Sequence, residues 1–172
     1  LFYFFLCLAQ KNRALNALND LINIRNHKAT QILVKPSFGN ILLWRTIYVH
    51  ENKFYIDAVN TFKFSHICSG TSMIKESPNE ILQNFKKGSV LYRDVKKFIW
   101  FSSEYVSFDR KNNMISDIRY AFIPNSDKAL WGIKINQKND QEHVKWYSKN
   151  NPNNKVSDKF FSLLLSKNCT RI

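Results

Sequence analysis

The hydrophobic period changes once between Phe98 and Phe122, and that change constrains the fold more than any other feature of the sequence. Before the change, apolar residues recur three to four apart, as Val95 and Ile99 do, and this spacing is typical of a helix. Residues 106–108 then alternate between apolar and polar, and the polar turn 110–113 leads to a second alternating run. The segment therefore predicts a helix followed by a β-hairpin.

Two more alternating runs predict a second hairpin. Residues 41–50, ILLWRTIYVH, are the strongest strand candidate, and the tight turn 51–53 leads to a returning strand over 54–59. A shorter strand over 31–35 ends at Pro36, which has no N–H to donate to a strand ladder. Beyond residue 59 the alternation fades. These runs predict an antiparallel sheet.

Helices are predicted from their caps and from their apolar spacing. Ser77 and Glu80 form a capping box around Pro78, which predicts a helix over 78–86. Further helices are expected over 14–24, 89–103 and 158–167, with a strand over 130–136 and a polar linker over 147–155. The expected fold class is α+β: an antiparallel sheet of five to seven strands with flanking helices, preceded by an N-terminal helix.

Nine apolar residues, LFYFFLCLA, open the sequence and are followed by a basic segment. Nine residues are too few to span a bilayer, which needs about 20. A signal peptide would carry its positive charge ahead of the apolar run. The run is either the start of a core helix or the end of a transmembrane helix, and we favour the second. The first residue is Leu1 and not Met, so we expect a piece of a longer protein.

Three parts are expected along the chain. The first, 1–28, contains the end of a transmembrane helix and an amphipathic connecting helix, and 29–146 form the α+β domain. Residues 147–172 form a polar linker and a C-terminal helix. Basic residues just after the apolar run predict that the domain lies on the cytoplasmic side of the membrane. They are Lys11, Arg13, Arg25 and Lys28.

The net charge of +13 is the strongest global signal. It favours a phosphate-rich partner, either an anionic membrane surface or nucleic acid, although such a charge also simply keeps a domain in solution. Three distant cysteines, Cys7, Cys68 and Cys169, form no CxxC pair, so we expect a reducing compartment and no disulfide framework. No zinc-ligand spacing is present, and we expect no metal site.

Catalytic patterns are scarce in this sequence. The four histidines stand alone, and no GxSxG, P-loop or GxGxxG occurs. Nucleic-acid binding has more support, since Trp44, Tyr48 and Tyr55 lie on adjacent predicted strands near Arg45 and Lys53. The same rings are what a sheet core needs. We therefore favour core packing over a stacking platform.

Several short motifs resemble one known family. They are Pro36, Asn40 and Trp44-Arg45, then a hairpin containing Tyr55, then Trp100-Phe101 leading to Tyr105, and finally Asp117-Ile118-Arg119. This arrangement over residues 32–135 resembles the C-terminal part of the bacterial membrane-bound metal-dependent hydrolases. In that family a glycine precedes the tyrosine of the third motif. Here Glu104 takes that place, so the turn is expected to have a different shape.

The resemblance implies that this chain is the soluble, accessory C-terminal domain of an enzyme in the bacterial inner membrane. Its partners would be an anionic membrane surface and its own transmembrane portion. In the family the His and Asp residues thought to hold a divalent metal lie in that portion, so no cofactor and no catalytic residue is assigned to this chain. Whether this part has activity of its own is left open. The alternative function is a basic module that binds single-stranded nucleic acid without catalysis.

Five residues of the matched motifs are candidate site residues: Asn40, Trp44, Arg45, Asp117 and Arg119. Arg45 shares a strand face with apolar residues, so its guanidinium should be buried and paired, and Asp117 is the partner we expect. The functional alternative is that Arg45 and Arg119 together bind an anionic head group or a phosphorylated substrate. We favour the structural role.

Overall fold

The computed structural model describes residues 2–149, 154–167 and 169–171. The chain divides into two compact units. The described parts of 1–73, 121–128 and 151–172 form the first, and those of 74–120 and 129–150 form the second. The helices are α1 (Phe2–Ile24), α2 (Pro78–Leu82), α3 (Val90–Phe101) and α4 (Asn154–Leu164). The strands are β1 (Gln31–Pro36), β2 (Leu43–His50), β3 (Lys53–Asn60), β4 (His66–Ile74), β5 (Val106–Asp109), β6 (Met114–Asp117), β7 (Trp131–Lys134), β8 (Lys145–Ser148) and β9 (Thr170–Arg171).

The α+β class is confirmed, but the strands form two antiparallel sheets where the sequence predicted one. Sheet A, in the first unit, has the order β1-β2-β3-β4-β9. Sheet B, in the second unit, has the order β5-β6-β7-β8. The predicted division at residues 28 and 146 differs from these units, because α1 and α4 both pack on sheet A and belong with it.

Sheet A is covered on both faces. On one face Trp44, Tyr48 and Val59 pack against Leu18 and Leu21 of α1. On the other face, Leu43, Ala58 and Cys68 pack against Leu163 of α4. Successive side chains of a strand point to opposite faces, so β2 is buried along nearly its whole length. The amphipathic helix over 14–24 was predicted correctly, and it is the second half of α1.

The connections of sheet A alternate between its two ends. At one end Glu51 and Asn52 join β2 to β3, and both have positive φ, as a two-residue hairpin turn requires. At the other end lie the β1–β2 connection, residues 37–42, and the β3–β4 connection, residues 61–65. Strands β4, β8 and β9 were not predicted. The sequence of β4, HICSGTSMI, has a small and polar stretch over residues 69–72 and shows no alternation.

The second unit confirms the predicted helix-and-hairpin segment. Ser77 caps α2 with the predicted box, and Ser89 caps α3. Apolar residues of α2 and α3 cover one face of sheet B around Val95, Ile115 and Ile133. Strand β6 ends at Asp117 and does not continue to residue 122 as predicted.

The end of β6 has a local cause. The carboxylate of Asp117 accepts the backbone N–H of Arg119 at 3.0 Å, and this side-chain turn competes with a continued strand ladder.

A disulfide joins Cys68 of β4 to Cys169, which precedes β9, and Cys7 remains a thiol. The expectation that the cysteines form no disulfide framework is therefore wrong. It rested on sequence distance, but a separation of 101 residues does not prevent pairing once β9 lies beside the start of β4. The disulfide fixes the C-terminal strand to the edge of sheet A.

Thiol labelling in denaturant tests this pairing. We expect one labelled thiol per chain before reduction and three after it, as Cys7 alone is unpaired among the cysteines. Closing a loop of this length contributes roughly 2–5 kcal/mol to the free energy of unfolding. Cys169→Ser should therefore lower the melting temperature markedly, whereas the control Cys7→Ser should not. Three labelled thiols without reductant would contradict the pairing.

Candidate membrane-contact surface

One end of sheet A collects the exposed apolar residues of several separate segments. This apolar end, as we call it, is where β1 and β3 finish and β2 and β4 begin. Its exposed apolar side chains come from the start of α1, from both connections and from the end of α4. They are Phe2, Tyr3, Phe4, Phe5, Leu6, Leu8, Phe38, Phe62, Phe64 and Leu165.

The first half of α1 contributes most of this surface. Ala14 to Ile22 supply the buried residues of the helix, while no residue from Phe2 to Arg13 is buried. The apolar residues of the first two turns point in all directions around the helix axis. A helix that is apolar all round is typical of one surrounded by apolar material on every side. Water surrounds these turns in the isolated chain, so they lack the environment that their composition favours.

Two sets of polar contacts fix how α1 lies along the sheet. Arg13 donates to the carbonyl oxygen of Lys63 at 2.8 Å, in the β3–β4 connection at the apolar end. Twelve residues later, Arg25 binds the carboxylate of Asp57 at 2.7 and 3.1 Å and the hydroxyl of Tyr48 at 3.0 Å. The helix therefore runs from the apolar end towards the hairpin end, and its first half projects beyond the sheet.

The Arg25 contacts are shielded from water, which strengthens this anchoring. Burial opposes the charge of Arg25, but hydrogen bonds to Asp57 and Tyr48 outweigh it, so the pKa of Arg25 is raised. Burial also raises the pKa of Tyr48, which keeps its hydroxyl protonated. Asp57 further accepts the backbone N–H of Gly70 at 2.9 Å. A Cβ at Gly70 would meet the carbonyl oxygens of Ile56 and Asn125, so only glycine fits there.

The β3–β4 connection holds Phe62 and Phe64 in exposed positions, with 54% and 50% of their surface accessible. Asn60 Oδ1 accepts the backbone N–H of Phe62 at 2.8 Å, and the N–H of Phe64 bonds to the carbonyl of Phe62 at 2.7 Å. Lys63, between them, has a positive φ of 57°. The connection is thus a tight, hydrogen-bonded turn that presents two phenylalanine rings.

The β1–β2 connection presents Phe38, which is 85% exposed. Asn40, a predicted site residue, organises this turn. Its Oδ1 accepts the N–H groups of Leu42 and Leu43 at 2.9 and 2.7 Å, and its Nδ2 donates to Ser37 Oγ at 2.9 Å. Asn40 therefore has a structural role in the site. It holds the turn that carries Phe38.

The C-terminal strand adds a cation to the same surface. Arg171 of β9 pairs with His66 of β4, and its guanidinium lies 3.6 Å from the centroid of the Phe64 ring. The Cys68–Cys169 disulfide holds this strand in place. Asn60 also binds the end of α4, donating to the carbonyl oxygens of Leu163 and Leu164 at 3.0 and 2.7 Å.

The apolar end is uniformly basic. Its segments are residues 2–13, 35–42, 60–66, 163–167 and 169–171, all of which the structure describes. They contain six basic side chains and no acidic one. The basic residues are Lys11, Arg13, Lys35, Lys63, Lys167 and Arg171. Exposed apolar side chains with Lys and Arg side chains around them suit a partner that is apolar inside and carries negative charge at its surface.

The remaining predicted site residues contribute no exposed side chain to the apolar end. Trp44 is buried and donates its indole N–H to the carbonyl of Ile41 at 2.9 Å. Arg45 is buried and donates to the carbonyl oxygens of Pro124 and Ser126 at 2.6 and 2.9 Å. The guanidinium is buried as predicted, but it binds backbone oxygens.

Asp117 and Arg119 form their own pair in the second unit. Two Arg119 nitrogens donate to the buried Asp117 carboxylate at 2.9 and 2.7 Å, and Trp131 donates to it at 3.2 Å. This hydrogen bonding outweighs partial burial and raises the pKa of Arg119. Within the second unit Arg119 thus neutralises Asp117. The expected Arg45–Asp117 pair would join the two units, and it stays a prediction. These contacts support structural roles over a shared anion site.

The alternative of a stacking platform for nucleic acid does not hold at Trp44 and Tyr48, since both rings lie in the core under α1. Only Tyr55 of the three rings is partly accessible, and it stacks on Tyr48 with centroids 5.0 Å apart. The core interpretation of these rings is therefore the correct one.

Among residues 2–149, 154–167 and 169–171, no three His, Cys, Asp or Glu side chains are grouped so that they could hold a metal ion. Within the same residues no helix combines the length and the apolar character needed to cross a bilayer.

Comparison with known proteins gives no assignment. The sequence matches no protein-family model, and neither a curated protein nor a solved structure matches it.

Substitution of Arg45 tests its structural role. Arg45→Ala leaves two backbone carbonyl oxygens without their donor, and each such loss costs about 1–3 kcal/mol. We expect a fall of several degrees in melting temperature, measured by circular dichroism. Added inorganic phosphate should leave the melting temperature of the unsubstituted chain unchanged. A stable Arg45→Ala variant together with phosphate-dependent stabilisation of the unsubstituted chain would contradict the structural role.

Proposed function

We propose that this chain is a membrane-attached domain whose apolar end contacts a bilayer that contains anionic lipid. One observation carries the proposal: exposed apolar side chains from α1, two turns and α4 gather at a single end of sheet A, within segments that hold six basic and no acidic residues. Exposed apolar surface of this extent favours a partner, and a basic surround favours one with negative charge at its edge.

The dimensions of α1 fit partial insertion. Residues 2–9 rise about 12 Å along the helix axis, at 1.5 Å per residue. The hydrocarbon core is about 30 Å thick, so this segment reaches through most of one leaflet. Arg13 then lies about 6 Å beyond Ala9, where its guanidinium can reach lipid phosphates.

The two turns fit the same geometry. Because Arg13 binds the carbonyl of Lys63, the rings of Phe62 and Phe64 lie near the level at which α1 changes from apolar to basic. With α1 inserted, these rings reach the interface between head groups and acyl chains. Lys63 and Arg171 beside them can pair with anionic head groups, and each such cation contributes about 1 kcal/mol near the surface.

The side of the membrane is a separate question. The basic residues after the apolar run predicted the cytoplasmic side, whereas the Cys68–Cys169 disulfide favours an oxidising compartment. Because the disulfide is part of the fold and holds Arg171 at the apolar end, we propose the oxidising side.

The link to membrane-bound metal-dependent hydrolases stays a prediction. It concerns a transmembrane portion, a divalent metal and an activity that lie outside this chain. The contacts of Asn40, Arg45, Asp117 and Arg119 support structural roles for the motif residues. We assign no catalysis to this chain, and binding of single-stranded nucleic acid is the alternative function.

Vesicle flotation tests the proposal with the chain and three variants. We expect binding to vesicles of phosphatidylcholine with phosphatidylglycerol, and weaker binding to phosphatidylcholine alone. The double change Phe62→Ser and Phe64→Ser should lower the partition coefficient at least about tenfold, since burying one Phe side chain contributes about 1.5–3 kcal/mol. Lys63→Gln should mainly reduce the difference between the two vesicle types.

Ile24→Ser is the matched control, because Ile24 is an exposed apolar residue at the opposite end of the same helix. It should bind vesicles as well as the unsubstituted chain does. Equal losses in Ile24→Ser and in the double variant would refute contact through the apolar end. So would salt-sensitive binding to single-stranded oligonucleotides in the absence of vesicle binding.

A further inference from the structure

Two histidines are stacked where α1 ends beside the hairpin of sheet A. The His27 and His50 rings lie with their centroids 4.2 Å apart and their planes inclined by 19°. The ring of Tyr55, on β3, lies beside His27 with centroids 4.6 Å apart. Both histidines are half-buried. Two imidazoles in contact cannot both take up a proton without repulsion, so this pair is a candidate for a response to pH.

The backbone ties His27 to the last turn of α1. Asn26 has a positive φ of 53°, and its N–H donates to the carbonyl oxygen of Asn23 at 2.9 Å. The N–H of His27 donates to the carbonyl oxygen of Ile22 at 3.0 Å. Two such bonds around a left-handed residue form a Schellman motif, a common helix end. Whatever the His27 ring binds on sheet A therefore also holds the last turn of α1.

The His27 ring binds the hydroxyl of Tyr48, and the geometry fixes which atom donates. Nδ1 of His27 lies 2.8 Å from the Tyr48 oxygen. Arg25 can only donate, so its guanidinium, 3.0 Å away, uses that oxygen as an acceptor. Within the described part of the chain the hydroxyl has no further hydrogen-bond partner. Its hydrogen therefore goes to His27, and Nδ1 is the unprotonated nitrogen of a neutral ring.

A proton on Nδ1 of His27 breaks this arrangement. The ring could then only donate to the Tyr48 oxygen, and the hydroxyl hydrogen would be left fully buried without an acceptor. His50 differs, because its Nδ1 lies 3.2 Å from both the backbone nitrogen and the carbonyl oxygen of Lys28. It can accept the N–H or donate to the carbonyl. The cost of protonation therefore falls on His27.

The titratable groups around the histidine pair come from α1, β2, β3 and the segments beside them. Besides Tyr48 they are Arg25, Lys28, Glu51, Lys53, Tyr55 and Asp57. Burial, His50 and Arg25 lower the pKa of His27, and the attraction of Glu51 is weaker. Both oxygens of Asp57 are bound by Arg25. A helix end favours a cation, and Arg25 already supplies it. The surroundings therefore favour a neutral His27.

We propose that the His27–Tyr48 contact is a pH-sensitive switch: neutral His27 holds the last turn of α1 on sheet A, and protonated His27 releases it. Because the pKa of His27 is lower in the folded chain than in the unfolded one, its stabilisation is present above about pH 6.5 and is lost as the pH falls below that value. The Arg25–Asp57 pair remains, so acid should loosen the helix end and leave the sheet folded. The inference does not depend on membrane contact.

Nuclear magnetic resonance tests the switch on the full chain. At about pH 7.5 the ring-nitrogen chemical shifts should show His27 with its proton on Nε2 and none on Nδ1. At about pH 5 the amides of residues 25–27 should exchange with solvent about three- to tenfold faster, after correction for the intrinsic effect of pH, whereas the amides of β2 should not. A proton on Nδ1 at about pH 7.5, or unchanged exchange of residues 25–27 in acid, would overturn the proposal.

Three variants locate the titrating group. His27→Asn keeps an acceptor near the position of Nδ1 that cannot take up a proton, so the acid response should disappear. Tyr48→Phe removes the hydroxyl, so residues 25–27 should exchange faster already at about pH 7.5, with little further change in acid. His66→Asn is the matched control, because His66 begins β4 at the opposite end of sheet A, and it should keep the full response. A full acid response in either His27→Asn or Tyr48→Phe would refute the switch.

Discussion

The packing of the second half of α1 against sheet A is the interaction on which the rest of the first unit depends. Leu18 and Leu21 bury one face of the sheet, and the Arg25–Asp57 pair fixes the end of the helix. A helix anchored in this way over its C-terminal half must project its N-terminal half past the sheet. The apolar residues from Phe2 to Leu8 are left exposed by that geometry.

The other segments of the apolar end follow from sheet topology. Antiparallel connections alternate between the two ends of a sheet, so the turns that carry Phe38 and Phe62 necessarily share an end. Pairing of β9 with β4, held by the disulfide, brings Arg171 to the same place. The position of α1 on sheet A and the order of the strands thus bring five sequence segments together in one surface.

Much of the fold was predictable, because periodicity and capping are local signals. The 51–53 turn, the Ser77 box and the hairpin after α3 all follow from residues close together in sequence. Strand β4 and the Cys68–Cys169 bond were missed, since one lacks alternation and the other depends on a long-range pairing. Arg45 was correctly predicted to be buried, but its partners lie about 80 residues away on a loop.

The candidate surface could have been found in part, because phenylalanines within turns, as in Ser-Phe-Gly-Asn and Phe-Lys-Phe, are unusual signals. Depth-dependent quenching tests the central claim most directly. An environment-sensitive fluorophore is placed on Phe62→Cys, Phe38→Cys or Glu51→Cys in a Cys7→Ser background, and the vesicles carry spin-labelled lipid. Membrane contact through the apolar end predicts strong quenching at positions 62 and 38 and none at 51, in the hairpin at the opposite end. Equal quenching at all three positions, or quenching at 51 alone, would contradict it.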